Sequence, residues 1–336
     1  MQGYSSAHYQ QDVMEEMARQ HEVFFYGPGF PFYDPEDKIE DVISKSPFLK
    51  PDLICVGHSW LGDNKDHGIH VHQQLNLTNT TIPKVMFLNK EYVLLNEKLK
   101  FVNDNDICCV FSHLHNICEF VHNNKKAEFI FWPFAANDKV FHRRNLEKKY
   151  DLCFTGVLRN RIHSQTQVDF RIQVQRKLFY TIGELKLCKR RRVRKLDIYW
   201  DGIPANDVAR KINDLLRKPK RLSITDYSLL LNQSKICLCS LSPMGLISPR
   251  YFEAMASACL VLCPDTIEHR YHFQDGFNCI MVKPDLSNFY DRFEFAINSE
   301  AVSGIIQNAY TDVMKNHTWR VRIEQFTQSV VKNIYN

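Results

Sequence analysis

The sequence predicts an α/β fold made of two doubly wound domains in tandem. Its 336 residues suffice for two domains at roughly 100–200 residues each. Short, nearly continuous apolar stretches, typical of strands in a parallel sheet covered on both faces, alternate with amphipathic helical stretches. Hydrophobic residues make up 44% and charged residues 24% of the chain, a globular composition that excludes disordered, collagen-like and coiled-coil classes.

The first half of the chain predicts helices and strands in alternation. An amphipathic pattern over 6–20 predicts a helix, and the aromatic run at 21–27, which ends in a Gly-Pro-Gly turn, predicts a strand. A short helix is predicted at 39–45. Four buried strands are predicted where apolar runs contain β-branched residues, at 51–60, 82–89, 106–113 and 127–134.

A polar segment at 137–149 predicts a linker, and a second set of alternating elements follows it. Pro249 lies where proline favours the first turn of a helix. Strands are predicted at 150–156, 196–202, 259–264 and 278–284, and the run at 228–241 is predicted to contain a helix end and a strand. Helices are predicted at 165–187, 205–217, 249–258, 286–298, 300–315 and 318–335.

Charge is divided unevenly along the chain. Residues 1–148 contain 15 Lys and Arg against 20 Asp and Glu, whereas the remainder contains 28 against 18, so we expect the second half to bind an anion. The 11 cysteines form no Cys-x-x-Cys pair, which favours reduced thiols and a cytoplasmic location. The sequence shows no signal peptide and no membrane-spanning run, and an anchor upstream of this chain stays open.

The segment 242–265 carries the most informative pattern. A predicted strand leads into a loop with Gly245 and Ser248, and Arg250 then lies in the first turn of a predicted helix. Free N–H groups at a helix N-terminus and an arginine side chain both suit a phosphate. Glu253, one turn further on, suits the hydroxyls of a ribose. The same spacing fits an Arg–Glu pair on a helix surface, and the pattern alone does not decide.

Several stretches resemble one protein family. The runs RYFEAMASACLVL and HFQDGFNCIMV resemble the C-terminal donor domain of group 1 GT-B glycosyltransferases, and are most similar to the CgeB-like (spore-maturation-protein-like) group. Further similar runs are YDLCFTG, NQSKICLCSLSPMGL and HTWRVRIEQF, with FLNKEYVLLNEKLKF and FWPFAANDKVFH in the first half.

This resemblance implies the GT-B architecture, in which two Rossmann-like domains face each other across a cleft. It implies an acceptor-side domain at 1–145, a donor domain at 149–317, and a C-terminal helix at 318–336 that packs back on the first domain. A GT-B first domain normally opens with a strand and a glycine loop. This chain instead starts almost directly in a predicted helix, so two alternatives stay open: the first strand is missing from this chain, or the fold does without it.

The resemblance further implies a nucleotide-diphosphate sugar as substrate, with no metal and no other cofactor. Glu253 matches the carboxylate that binds the donor ribose, the second Glu of the family's Glu-x7-Glu motif. Gly245 stands where the first Glu would fall, which leaves the stereochemical outcome of the reaction open. The positions near the diphosphate match Gly156, Arg159, Ser248, Arg250 and Lys235, of which the lysine suits a solvated strand edge equally well.

Three residues of the first half are candidate general bases for an acceptor hydroxyl. His58 and His113 each end a predicted strand, and Asp63 follows His58 in a loop. A histidine near its ordinary pKa is a good base for such a proton. Each histidine equally fits the alternative of a hydrogen-bonded loop residue.

Potential metal ligands are present, but their arrangement does not favour a metal site. The Asp-Asn-Asp run at 104–106 precedes a strand and is predicted to be a turn. Structural zinc sites use paired ligands on tight turns, whereas the histidines and cysteine within 113–122 cross from a strand into a helix. The histidines within 67–72 lie in a polar loop.

The run at 186–195 contains seven basic residues. It is predicted to be a solvated loop or helix end, and the lack of interleaved aromatics disfavours single-stranded nucleic acid. We therefore expect a glycosyltransferase that moves a sugar from a nucleotide-diphosphate sugar to the hydroxyl of a glycan, protein or small molecule. Two alternatives stay open: a catalytically inactive nucleotide-sugar-binding protein, and a nucleic-acid-binding protein that uses this basic run.

Overall fold

A computed structural model gives the architecture of the chain. It describes residues 8–57, 76–121, 127–157, 170, 173–174, 186–189, 192–195, 198–203, 222–240 and 242–335. Within these ranges the strands are β1 (Ile54–Val56), β2 (Lys84–Phe87), β3 (Cys109–Ser112), β4 (Glu128–Phe131), β5 (Tyr150–Val157), β6 (Lys186–Lys189), β7 (Arg192–Lys195), β8 (Ile198–Ile203), β9 (Ser234–Leu238), β10 (Leu260–Pro264) and β11 (Ile280–Val282).

The helices follow the amphipathic segments of the sequence. In the described residues they are α1 (His8–Gln20), α2 (Ile39–Lys45), α3 (Leu95–Asp104), α4 (Ile224–Asn232), α5 (Pro249–Ala256), α6 (Ile267–His272), α7 (Phe289–Asn298), α8 (Val302–Asn316) and α9 (Trp319–Val330). Pro249 begins α5 at the position where its missing N–H leaves no hydrogen bond unmade.

The chain forms two compact units. The first contains Met1–Phe134, Met244–Leu246 and Trp319–Asn336, and the second contains Ala135–Pro243 and Ile247–Thr318. A parallel sheet lies in each unit, with the strand order β1-β2-β3-β4 in the first and β11-β10-β9-β5-β8 in the second. Strands β6 and β7 pair with each other as an antiparallel ribbon, so the basic run is not the solvated loop or helix end that the sequence predicts.

Aromatic packing joins α9 to the sheet of the first unit. The Phe326 ring lies 5.2 Å from that of Phe87 and 4.9 Å from that of Phe111. The indole N–H of Trp132 donates a 3.0 Å hydrogen bond to the carbonyl of Arg322. Because Phe87 and Phe111 belong to adjacent strands, α9 covers the centre of this sheet and its removal would expose large aromatic surfaces.

Side chains of alternate residues divide the second sheet into two faces. Leu152, Ile236 and Leu238 pack into a hydrophobic core with Phe289 and Phe293 of α7. The intervening cysteines, among them Cys237, point to the other face and are buried. The ten cysteines other than Cys188 are free thiols.

The strand predicted at 21–27 is wrong, because this segment has no strand structure. Its aromatic residues pack locally instead. The Phe25 ring stacks on Phe30 at 5.7 Å, and the Tyr26 ring contacts Tyr33 at 5.5 Å. An apolar run whose partners lie within ten residues can bury its surface without joining a sheet.

Candidate functional site

The second sheet reverses its strand order at β5. The chain runs outward from β5 to β8, then returns to the other side of β5 as β9, and continues outward through β10 to β11. In open α/β sheets, ligands bind outside the carboxyl ends of the strands at such a reversal. Here those ends are Gly156 and Val157 of β5 and Leu238 of β9, which places the predicted residue Gly156 at this edge.

The start of α5 lies beyond the end of β9. Ser248 is the N-cap residue, with an extended backbone (φ −80°, ψ 162°), but its side chain makes no capping hydrogen bond. Its hydroxyl oxygen is buried and has no hydrogen-bond partner among the described residues. A serine at this position normally accepts from a backbone N–H of the first turn. Pro249 has no N–H, and the N–H of Tyr251 donates to the Ser248 carbonyl at 3.3 Å, so the backbone N–H of Arg250 is the donor of this turn that suits an anion.

Arg250 extends the positive character of this helix start. Its guanidinium lies 6.0 Å from the centre of the Phe154 ring, and its Nε is buried without a partner in the described part of the chain. Burial acts to lower the pKa of Arg250, but the fields of Tyr227, Cys239, Cys237 and Glu253 raise it by more. The guanidinium therefore stays charged, and it belongs to the first turn of the helix that follows β9.

Glu253 lies one turn after Arg250 and is 4% exposed. Its field helps to raise the pKa of Tyr227, although burial of the phenol is the largest cause. The structure thus brings Ser248, Arg250 and Glu253 together at the start of one helix. Arg159, the other predicted phosphate ligand in this region, lies outside the described residues.

Two hydroxyls at this edge were missed by the sequence analysis. Tyr227 on α4 and Ser240, two residues after β9, both have buried oxygens with no partner in the described ranges. Tyr227 is half-buried on α4 and its ring packs edge-on against Phe141, so the sequence around it gives no sign of a ligand. Ser240 directly follows a buried strand, and that position is the signal that could have identified it.

The structure does not place Lys235 in the site. Lys235 lies at the amino end of β9, the opposite edge of the sheet from the helix start. Its ammonium donates a 2.8 Å hydrogen bond to Asp151, whose side chain is 4% exposed. The predicted phosphate contact is therefore wrong, because the lysine neutralises a buried carboxylate at the far end of β5 and β9.

Gly245 lies in the turn Pro243–Gly245 with a left-handed backbone (φ 78°), directly after Met244 at φ 59°. It is part of the segment Met244–Leu246 that belongs to the first unit. Only the hydrogen side chain of glycine adopts this conformation without cost. The backbone therefore gives a local reason for glycine at the position where the family has glutamate.

His113 has the surroundings of a packing residue rather than a base. It is 2% exposed, its ring stacks on Phe134 at 3.7 Å, and its Nδ1 lies 2.7 Å from the Trp132 carbonyl, to which it donates. Burial is the main cause that lowers the pKa of His113 to about 3. An imidazole with this pKa and this burial is a poor general base at neutral pH.

The other two predicted bases, His58 and Asp63, lie outside the described residues. So do His122 and the histidines within 67–72. The Asp-Asn-Asp run at 104–106 ends α3 and forms a turn, which confirms that prediction. In the described part of the chain, no group of three or more His, Cys, Asp or Glu side chains is arranged to hold a metal ion.

Comparisons with known proteins give one family match and several structural likenesses. Residues 189–328 match the model of the glycosyl transferase-like family. HepE from Anabaena, solved in complex with UDP and glucose, is similar over 74% of this chain and 72% of its own, with 10% identity and a TM-score of 0.51. A glycosyltransferase from Rickettsia africae is similar over 76% of this chain and 72% of its own, with 13% identity and a TM-score of 0.50.

TarM from S. aureus is similar over 75% of this chain, which spans about half (51%) of TarM, with 14% identity and a TM-score of 0.50. No curated protein matches the sequence. Across the described helices, none is long and apolar enough to cross a membrane. The structural likenesses and the parallel sheets confirm the predicted GT-B-like α/β fold, and the family match supports a role in glycosyl transfer.

Proposed function

We propose that this chain is a glycosyltransferase of the CgeB-like group whose second unit binds a nucleotide-diphosphate sugar. The observation that carries the proposal is the set of unpartnered buried groups around Arg250 at the strand reversal of the second sheet. Buried polar atoms without partners are uncommon in folded proteins. These groups lie at the edge where α/β sheets bind ligands, so an anionic ligand explains why they have no partner within the described residues.

Each group has a role that follows from its chemistry. The guanidinium and the backbone N–H of Arg250 bind the diphosphate together with the hydroxyl of Ser248, and the Glu253 carboxylate accepts hydrogen bonds from the ribose hydroxyls. During transfer, the acceptor oxygen forms a bond to the anomeric carbon while the bond from that carbon to the diphosphate breaks. The electron pair leaves with the diphosphate, and the acceptor proton passes to a base.

Stabilisation of the leaving diphosphate is the contribution that these residues supply. Fixed donors aimed at a developing negative charge lower the barrier because they need no reorganisation during the reaction. A cation and helix N–H groups can do this without a metal, and we propose a metal-independent transferase on that basis. HepE was solved with UDP and glucose, which makes UDP-sugars the first donors to test.

A second candidate function is a nucleotide-sugar-binding protein without transferase activity. Two observations favour it: glycine replaces the family's first glutamate at Gly245, and His113 is buried in a packing role. This candidate predicts binding of the donor with neither transfer nor hydrolysis.

Donor binding and hydrolysis by the wild-type chain and by Glu253→Gln test the proposal. UDP-, GDP- and ADP-sugars are titrated by calorimetry, and release of the nucleoside diphosphate is followed over time. We expect one donor to bind and to be hydrolysed slowly. Glu253→Gln should weaken binding about tenfold or more, because hydrogen bonds to a charged group contribute about 1.5–3 kcal/mol each.

Glu300→Gln is the matched control, because it makes the same change at an exposed position of the second unit. It should leave the affinity unchanged. Binding without hydrolysis or transfer to any acceptor would favour the non-catalytic candidate. A wild-type chain that binds none of the three donors would overturn the proposal.

A further inference from the structure

Two buried hydroxyls reach the proposed site from elements other than α5. Ser240 follows the last ladder hydrogen bond of β9, which the N–H of Cys239 makes to the Leu262 carbonyl at 2.9 Å. Ser240 therefore lies where the chain leaves the sheet, at its carboxyl edge. It is 7% exposed, and its oxygen has no partner within the described residues.

Tyr227 approaches the same edge from α4. This helix ends at Asn232, directly before β9 begins at Ser234. A helix that leads into a strand of a parallel sheet packs antiparallel to that strand, so the first turns of α4 lie towards the carboxyl ends of the strands. The ring packs edge-on against Phe141, with 5.7 Å between ring centres, which restricts its rotation. Its buried hydroxyl makes no hydrogen bond to any described residue, and it lies within the electrostatic field of Arg250 and Glu253.

These hydroxyls destabilise the folded chain unless something else binds them. A buried hydroxyl without a partner loses its hydrogen bonds to water and gains none in return. Phenylalanine and alanine would fill the same positions without that cost. A hydroxyl can donate a hydrogen bond, and the charge of Arg250 acts on Tyr227 and on Cys239, the residue before Ser240. The ligand that satisfies both hydroxyls therefore carries acceptor oxygens and negative charge.

We propose that Tyr227 and Ser240 donate hydrogen bonds to the diphosphate of the bound donor, opposite Arg250. This inference rests on the proposed function of the site. It adds ligands from α4 and from the end of β9 to those from α5, so three separate elements enclose the diphosphate.

The experiment compares Tyr227→Phe and Ser240→Ala with the control Ser257→Ala. Ser257 is 0% exposed and its oxygen also lacks a partner in the described part of the chain, but it caps the opposite end of α5. All three substitutions remove one unpartnered buried hydroxyl. Only the first two remove a hydroxyl from the proposed site.

Two quantities are measured for each variant: the Tm without ligand, and the Kd for UDP, inorganic pyrophosphate and uridine. Removing an unsatisfied hydroxyl should raise the Tm of the ligand-free chain by about 2–4 °C in all three variants. Tyr227→Phe and Ser240→Ala should weaken UDP and pyrophosphate about tenfold each and leave uridine unchanged. Ser257→Ala should leave every Kd unchanged.

The proposal predicts that Tyr227→Phe and Ser240→Ala raise the Tm of the ligand-free chain and weaken its affinity for UDP. This combination distinguishes a hydroxyl that binds a ligand from one that stabilises the fold. A structural hydroxyl that binds within the protein would lower the Tm when removed and leave the Kd for UDP unchanged, and that result would overturn the proposal. If the loss fell on uridine as much as on pyrophosphate, the diphosphate assignment would be wrong. The proposed function fails separately, when the wild-type chain binds no nucleoside diphosphate.

Discussion

Buried polar groups at the carboxyl ends of the two parallel sheets differ in whether they have hydrogen-bond partners. After β3 in the first unit, the hydroxyl of Ser112 and the backbone N–H of His113 donate to Glu91 Oε1 at 2.7 and 2.9 Å. At the equivalent edge of the second unit, the oxygens of Tyr227 and Ser240 have no partner in the described residues.

This difference separates two uses of a buried polar group. A satisfied network orders the fold, and its loss costs stability. An unsatisfied group reduces stability, and where it lies at the ligand-binding edge of a sheet its retention is explained by a ligand. The first network also contains one unpartnered atom within the described part, Glu91 Oε2. Among the residues that the structure describes around this network, no unpartnered hydroxyls are combined with an arginine at a helix start.

Arg250→Ala should produce the largest effect on ligand binding. Arg250 supplies the cation of the second edge, and a charge-assisted, two-point contact to phosphate contributes about 3 kcal/mol. We therefore expect the Kd for UDP to rise at least a hundredfold, measured by calorimetry. Lys235→Gln is the control, because it removes a cation from the opposite edge of the same sheet, and should change the Kd by less than twofold. Equal losses in the two variants would refute the placement of the site.

His113→Phe should change stability and its pH dependence but not binding. The pKa of His113 is lowered to about 3, mainly by burial, whereas an unfolded histidine titrates near 6.5. Between these values the unfolded chain binds a proton that the folded chain excludes, so the free energy of unfolding falls as pH decreases. The contribution of this group is about 1.4 kcal/mol per pH unit in that window.

Urea unfolding at several pH values from 7 to 4 measures the slope for each chain. His113→Phe should remove this contribution, and at pH 7 it should cost about 1–3 kcal/mol because the Trp132 carbonyl loses its donor. The Kd for UDP should stay within twofold of wild type. An unchanged pH slope would show that the histidine is accessible to protons in the folded chain, and would restore it as a candidate base.

Most of the fold could be predicted because the buried strands of a parallel sheet appear in the sequence as runs of apolar residues. Residues 84–87 are all buried, and a strand was predicted around them from that pattern. The segment 21–27 also contains a run of apolar residues, but these residues pack on aromatic side chains that follow closely in the sequence. Single-sequence patterns do not reveal which partner an apolar run will find.

The residues of the site also differ in whether the sequence alone brings them together. Ser248, Arg250 and Glu253 are neighbours along one helix, so their association could be read from local spacing. Tyr227 joins them only through the packing of α4, which no local pattern encodes, whereas Ser240 could have been identified from its position directly after a buried strand. Their role remains a proposal.

Gly245→Ala should have the smallest effect, and it sharpens the comparison by testing how the loop after β9 is held. Gly245 has φ 78°, a conformation that disfavours a Cβ atom by about 1 kcal/mol. We expect the free energy of unfolding to fall by about that amount in urea titrations.

Gly304→Ala is the control, and it should change the stability in the opposite direction. Gly304 lies inside α8, where an added Cβ would meet nothing within 4 Å, so alanine should stabilise the helix by about 0.5–1 kcal/mol. A loss at Gly245 well above 1 kcal/mol would mean that more than the backbone angle opposes a side chain there. An unchanged stability would mean that the loop relaxes, and the backbone would then no longer explain why glycine replaces the family's glutamate.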